Sequence, residues 1–443
     1  MKRLIGRFSP YLLALFVFMI PWQTRWIWQE HPLSSGVWEY GRFSLYGTDI
    51  LWVALFIAAV IIRQPLSQTV RRWSVTLTAF AAIAFVSAVA SLHHDVSWYA
   101  LIKLLQGMSL VWIVSVIPVR WALLSGAVIA AGTLQSVMAI VQFFTQSIPA
   151  HTWLGMAAHA PGILGDAVVE TATGRFLRAY GSFPHPNILA GFLVVCLIVC
   201  IGALIRLHQQ SKPSLRVILP TVIGFTVTFY GLILTFSRSA WLAMGVCVVG
   251  MLIHAVWFRA SHRLKIMGSV VLWMVLVSVF CLTMFPELIQ TRTVGGGRLE
   301  EMSATERLSL VDQTRVMTRD HWVSGVGIGG STYAAYLYDR TRESWDYQPV
   351  HNLVLLIASE IGLIGGLLFV VIIGQFLWDV IRACGTAMRN SHVLYAFSFT
   401  VFGTVVIGFF EHYFWTLSSG IFLFWLIFGL WLRKYSHCSQ GTD

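Results

Sequence analysis

The sequence predicts an all-α integral membrane protein with about twelve transmembrane helices and a large outer loop that contains short helices. Three observations carry this. Of the 443 residues, 57% are hydrophobic and only 11% are charged, where a soluble domain carries about 25% charged residues. The chain divides into about twelve apolar runs, most of them near the ~20 residues that cross a bilayer as a helix. Positive charge collects in every second connection between those runs. No stretch offers a separate soluble domain, so residues 1–443 read as a single polytopic membrane domain.

Taken in order, Lys2, Arg3 and Arg7 precede the first run, near residues 9–26. No small-residue cleavage site follows it, so it reads as an uncleaved span. Further spans are expected near 48–63, 73–92, 97–118, 121–145, 186–206, 217–236, 240–258, 266–285, 352–378, 393–411 and 417–432. One set of segments holds Lys2, Arg3, Arg7, Arg63, Arg71, Arg72, Arg120, Arg206, Lys212, Arg216, Arg259, Arg263, Lys265, Arg382, Arg389, Arg433 and Lys434. These are 17 of the 30 basic residues, against the two acids Asp379 and Asp443. By the positive-inside rule this side is cytoplasmic and holds both termini. The net charge of +11 is thus an expression of membrane sidedness, and no nucleic-acid partner is expected. Four of the six cysteines fall inside apolar spans and two in short basic segments, which excludes a disulfide framework and a thiolate metal site.

The opposite side carries twelve basic residues, all arginine: Arg25, Arg42, Arg175, Arg178, Arg238, Arg292, Arg298, Arg307, Arg315, Arg319, Arg340 and Arg342. A chain with 25 Arg and five Lys produces some of this bias by composition. A planar guanidinium fork also suits phosphate better than a point charge does. Two outer loops are sizeable, residues 146–185 and 286–351. The second opens with Gly295-Gly296-Gly297, and its Ser303-Ala304-Thr305-Glu306 has the form of a capping box, which predicts a helix start there. Arg307, Arg315 and Arg319 would give that helix a partly basic face. The run from Gly325 to Gly330 follows; its amides could approach an anion, though an ordinary turn is the plainer reading.

The loop delivers His351 and Asn352 to the mouth of the apolar run HNLVLLIASEIGLIGG. Glu360 lies inside that run, roughly 12–13 Å deeper at about 1.5 Å per residue. His351 can accept a proton near neutral pH; it also fits a helix cap. Glu360 could orient His351, neutralise an arginine, or be a buried carboxyl of the bundle. Arg178 lies in RAYGSFPHPN, on an approach stiffened by Pro184 and Pro186, with Pro186 suited to the first turn of a span. Arg238 lies in TFSRSAWLA, in a very short turn between two spans, where a charge is costly unless paired. Both also fit arginines at a membrane interface. Lys103, within a span, reads as a snorkeller or the partner of an acid, and Glu300-Glu301 as a solvated pair. No Asp-x-Asp, Walker motif or metal-spaced His/Cys cluster is present, so no metal and no cofactor is expected. A transporter would line a path through the bilayer with charge; here the candidate charges gather at one face.

The segments RAYGSFPHPNILAGFL, TFSRSAWLA, ERLSL…HWVSGVGIGGSTY and HNLVLLIASEIGLIGG, in this order and spacing, resemble the O-antigen ligase/polymerase superfamily over roughly residues 170–370. The first 150 residues resemble it only in hydropathy. The resemblance implies a C-type glycosyltransferase fold in the bacterial inner membrane with its site facing the periplasm. It implies a donor glycan on undecaprenyl diphosphate, with Arg178 and Arg238 holding the diphosphate and His351 acting on the acceptor hydroxyl. Transfer would be metal-independent and inverting at the sugar C1. Arg307, Arg315, Asn352 and Glu360 are the second-tier candidates. The acceptor, lipid A–core or another glycan, separates a ligase from a polymerase; a protein acceptor goes with chains that extend further at the C-terminus.

Overall fold

The computed structural model describes residues 1–34, 36–212, 214–295 and 298–439. Gly296 and Gly297 of the glycine triplet, and Asp443, lie outside the described residues. In order come α1 (Lys2–Met19), the strands β1 (Arg25–Glu30) and β2 (Arg42–Tyr46), then α2 (Gly47–Ile62), α3 (Gln68–Val89), α4 (His94–Val116) and α5 (Trp121–Thr145). The strands β3 (Val168–Thr171) and β4 (Gly174–Leu177) follow, then α6 (Pro186–His208), α7 (Leu215–Leu234), α8 (Arg238–Trp257) and α9 (Ser261–Met284). The long outer loop holds α10 (Pro286–Val294), α11 (Arg298–Asp320) and α12 (Ser331–Tyr338). The chain closes with α13 (Leu353–Ala383), α14 (Thr386–Asn390), α15 (His392–Gly408), α16 (Tyr413–Thr416) and α17 (Ser418–Ser439).

The protein is therefore an all-α membrane bundle. Among the described residues eight helices (α3 to α9 and α13) are long and apolar enough to cross a membrane, and α2 and α15 are shorter apolar helices. Helix α1 covers only part of the first expected span, 9–26, since it ends at Met19 and β1 begins at Arg25, whereas α17 covers nearly all of the last one. The only sheets among the described residues are two antiparallel hairpins, β1–β2 and β3–β4, which the hydropathy pattern did not disclose.

Helix α6 is the centre of the bundle. Its residues from Pro186 to Gly202 are all buried, because α5, α7, α8 and α15 surround it. Small residues set that closeness, as membrane interfaces require: a Cβ on Gly132 of α5 would stand 2.7 Å from the Cys196 Cβ of α6. Lys103 and Asp49 form a buried ion pair at 2.5 Å between α4 and α2, so Lys103 is the partner of an acid.

The outer loop differs from expectation in one respect. Helix α11 begins at Arg298, five residues before the capping-box sequence, and runs to Asp320. Glu300 and Glu301 occupy its first turn, where a carboxylate complements the helix dipole. Ser303 and Glu306 consequently lie inside the helix rather than at its start.

The glycine turn after α11 docks on a break in α13. Ile361 (φ −117°, ψ 18°) and Gly362 (φ 79°, ψ 167°) are non-helical, which frees backbone groups at membrane depth. Val326 N donates to Ser359 O at 2.9 Å, Gly327 N to Glu360 O at 3.0 Å, and Leu363 N to Trp322 O at 2.9 Å. Irregular backbone at this depth survives because protein satisfies it. The Glu360 carboxylate completes the clamp, accepting from Gly329 N at 2.7 Å and Trp415 Nε1 at 2.6 Å. The turn's amides are thus spent on the chain itself, as an ordinary turn's are, and Glu360 is a buried carboxyl of the bundle.

Candidate functional site

Three outer segments and two helix starts converge on one cavity of about 440 Å³. Its lining includes Arg178, His185, Asn187, Arg238, Arg292, Arg307 and His351. The arginines come from positions more than a hundred residues apart, and the bundle order is what joins them.

Arg178 follows β4, in a segment that folds back onto α5. Two glutamines of that helix hold the turn: Gln142 Nε2 donates to Gly181 O at 2.7 Å, and Ser182 N donates to Gln135 Oε1 at 2.8 Å. Polar side chains inside the bundle thereby satisfy a loop that water does not reach. Arg178 is 6% exposed. Its Nε donates to Thr235 O at 2.7 Å and its Nη2 to Asn187 Oδ1 at 2.5 Å. Nη1 has no hydrogen-bond partner among the described residues and is available to the cavity. Burial and the neighbouring Arg292 bring the Arg178 guanidinium down to about 9, so it remains cationic at neutral pH.

Arg238 opens α8 immediately after a turn in which Phe236 adopts φ 50°. Its Nη2 lies 3.0 Å from Glu300 Oε2. The same Glu300, from the first turn of α11, also pairs with Arg292 of α10. Glu300 side-chain exposure is 10%, so it is a buried bridge and not a solvated acid. Arg292 additionally donates from Nε to Phe236 O at 3.1 Å. Its guanidinium is pulled below the usual arginine range by burial, with Glu300 opposing. Arg307 and Glu306, nearly two turns further along α11, complete that wall.

His351 stands directly before the N-cap of α13. Glu411, from the short connection between α15 and α16, backs it: Glu411 Oε2 lies 3.6 Å from His351 Nδ1, so Nε2 is the ring nitrogen without this carboxylate beside it. Glu411 Oε1 accepts from Asn187 Nδ2 at 2.7 Å and from Ser239 Oγ at 3.4 Å. Hydrogen bonds therefore join Arg178, Asn187 and Glu411, and the 3.6 Å contact of Glu411 extends this row to His351. Pro186 occupies the first turn of α6, with the His185 Nδ1 accepting from Asn187 N at 3.1 Å. The His412 ring lies 5.1 Å from the His351 ring. Burial and surrounding cations hold both His185 and His412 well below the usual histidine range, so each is a neutral imidazole at pH 7.

The remaining expected residues lie elsewhere. Asn352 caps α13, its Oδ1 accepting from Leu355 N at 3.0 Å, and its Nδ2 donates to Phe409 O at 3.2 Å. Arg315 is exposed and pairs with Asp312 on its own helix at 2.9 Å. Glu360 sits on the glycine clamp and does not contact His351. Sequence reasoning missed Asn187, Arg292, Glu300 and Glu411. Glu411 had a usable signal: it is the only acid between Asp379 and Asp443, in a short connection between two apolar runs. Among the described residues no three His, Cys, Asp or Glu side chains stand together as a metal-holding group.

In chemical terms the cavity offers four guanidinium groups, incompletely matched by Glu300 and Glu306, beside an imidazole with a carboxylate behind it. Such a site can hold a diphosphate and accept a proton. A family model described as O-antigen ligase matches residues 223–370. That span takes in Arg238, Arg292, Arg307 and His351. The match supports a transferase that acts on lipid-linked glycans. No curated protein matches the chain.

Proposed function

We propose that this all-α membrane protein, whose residues 223–370 match a family model described as O-antigen ligase, transfers a glycan from undecaprenyl diphosphate to an acceptor hydroxyl, with O-antigen ligation to lipid A–core as the reaction. The observation that carries the proposal is the meeting of Arg178, Arg238, Arg292, Arg307 and His351 in one cavity, with Glu411 behind the imidazole. The cavity opens on the face away from the basic segments, which this reading assigns to the periplasmic side of the inner membrane. The loop 146–185 supplies Arg178, and the loop 286–351 supplies Arg292, Arg307 and His351.

The step is a displacement at the sugar C1. The acceptor oxygen forms the new bond to C1 as its proton passes to His351 Nε2. The bond from C1 to the diphosphate oxygen breaks on the opposite face, which inverts C1. Charge grows on the departing lipid diphosphate, where Arg178 Nη1 and the other guanidinium groups are already oriented. Preorganised donors of this kind stabilise a leaving group without reorganisation. The leaving group is part of the donor, so the step requires no metal or nucleotide. Glu411 stabilises the imidazolium and, through Asn187, holds Arg178 in register with it.

The test is glycan transfer in cells lacking their own ligase, comparing wild type with His351→Ala, Arg178→Ala and Arg238→Ala at matched membrane levels. The expected result is polysaccharide joined to lipid A–core in wild type and its loss in all three variants. Long unattached lipid-linked polymer would make the protein a polymerase. Full activity of His351→Ala would remove the general-base role.

A further inference from the structure

A second cavity, of about 280 Å³, lies at the opposite end of the bundle from the site above. It is a slot between the ends of α5, α6, α7 and α15. Its mouth carries Arg206, Gln210 and His392, and its floor is apolar, with Gly126, Val199 and Phe397 among the lining residues. Arg206 stands in the last turn of α6, the most enclosed helix of the bundle, so its side chain faces this slot instead of the open membrane surface.

Among the described residues the Arg206 side chain has no hydrogen-bond or ion-pair partner, and only its backbone carbonyl is engaged, by Gln209 N at 3.2 Å. The protein has little with which to supply one. Asp379 is the only described carboxylate at this end of the bundle, and it is taken by Arg72 Nη2 at 2.7 Å and Trp73 Nε1 at 3.1 Å. Arg206, Lys434 and Arg263 all act electrostatically on His392. Arg263 is fully buried and is held by the carbonyls of Met388 and Arg389 and by the Tyr395 ring at 4.2 Å, again without a carboxylate. The slot thus joins an uncompensated cation to an apolar channel at membrane depth. A phosphate with an attached acyl chain matches both halves, since basic pockets between membrane helices take lipid headgroups.

We propose that this slot binds one anionic phospholipid of the leaflet opposite the glycan-transfer site, its phosphate on Arg206 and an acyl chain along Gly126 and Phe397.

The experiment is native mass spectrometry of the full chain in detergent, titrated with phosphatidylglycerol, phosphatidylcholine or inorganic phosphate. Wild type should hold one phosphatidylglycerol more tightly than all further ones. Arg206→Gln should weaken that lipid about tenfold, the scale of one lost charge-assisted hydrogen bond. Gly126→Leu should weaken it similarly by filling the slot; a Cβ there meets nothing within 4 Å, so the new side chain starts into open space, and the thermal midpoint of the variant checks its fold. Arg216→Gln, exposed at the same end, should leave it unchanged. Wild-type affinity in both Arg206→Gln and Gly126→Leu would overturn the proposal. So would equal weakening by Arg216→Gln, equal binding of phosphatidylcholine, or displacement of the lipid by inorganic phosphate alone.

Discussion

Replacing Glu411 by glutamine preserves its volume and removes one charge from behind His351. The carboxylate is 3% exposed and stands 3.6 Å from His351 Nδ1. While His351 is neutral this contact contributes little. Once His351 takes the acceptor proton, two unit charges face each other over that distance. At an effective dielectric of ~20 their attraction is about 4–5 kcal/mol. The glutamine carbonyl retains part of it as a dipole and can still accept from Asn187, so Arg178 keeps its place. The net loss is then roughly 3–4 kcal/mol, and about 1.4 kcal/mol is tenfold in rate, so kcat should fall about 10²- to 10³-fold. KM for the donor should change by no more than about threefold, because the ground state gains little from the charge. The assay is transfer from a lipid-diphosphate donor by purified protein, with the thermal midpoint measured in parallel. A kcat within about fivefold of wild type, with the fold intact, would refute the stabilised-imidazolium argument.

Other outcomes follow from the same geometry. Arg307→Ala should reduce kcat/KM for the donor by about tenfold or more, the worth of one charge-assisted contact, whereas Arg315→Ala should stay within about twofold, since Arg315 is exposed and paired to Asp312. Kinetics of the two variants side by side check this. Gly362→Ala should destabilise the protein by about 2–4 kcal/mol, read as a lower thermal midpoint, because φ is +79° and a Cβ would lie 2.2 Å from Val323 O. Stability should fall as pH drops below about 6.5. The unfolded chain then protonates His185 and His412 while the folded chain, with both depressed, does not. Each contributes at most about 1.4 kcal/mol per pH unit, and His412→Gln should flatten the midpoint-versus-pH curve in thermal unfolding at pH 5 to 7.

Much of the site was legible because its residues carry their chemistry in their own identity. An arginine in a stiff RAYGSFPHPN approach, another in a turn without a loop, and a histidine at a span mouth are unusual wherever they fold. Their partners were not legible. Glu300 reads as one of two adjacent acids on a polar helix; only the packing of α10 and α11 against α8 turns it into a bridge between Arg238 and Arg292. Arg307 and Arg315 read alike, and two turns of α11 decide that one meets the cavity and the other meets water. Glu360 drew attention as a carboxylate inside a span, yet the turn from Gly325 to Gly330 claims it.

The sequence by itself determined that the protein is a bundle of membrane helices, which end carries the positive charge, and which arginines and histidine lie at the other end. Those are properties of composition and local order, set by the cost of placing charge and unpaired backbone in hydrocarbon. Only the tertiary structure decided that Asn187 and Glu411, 224 residues apart, join Arg178 to His351. It likewise decided that a break in α13 is filled by the glycine turn. Both depend on which helices stand beside α6. In a membrane that choice is made by close packing and by the few buried polar groups that must find partners, and neither is visible in a pattern of apolar runs.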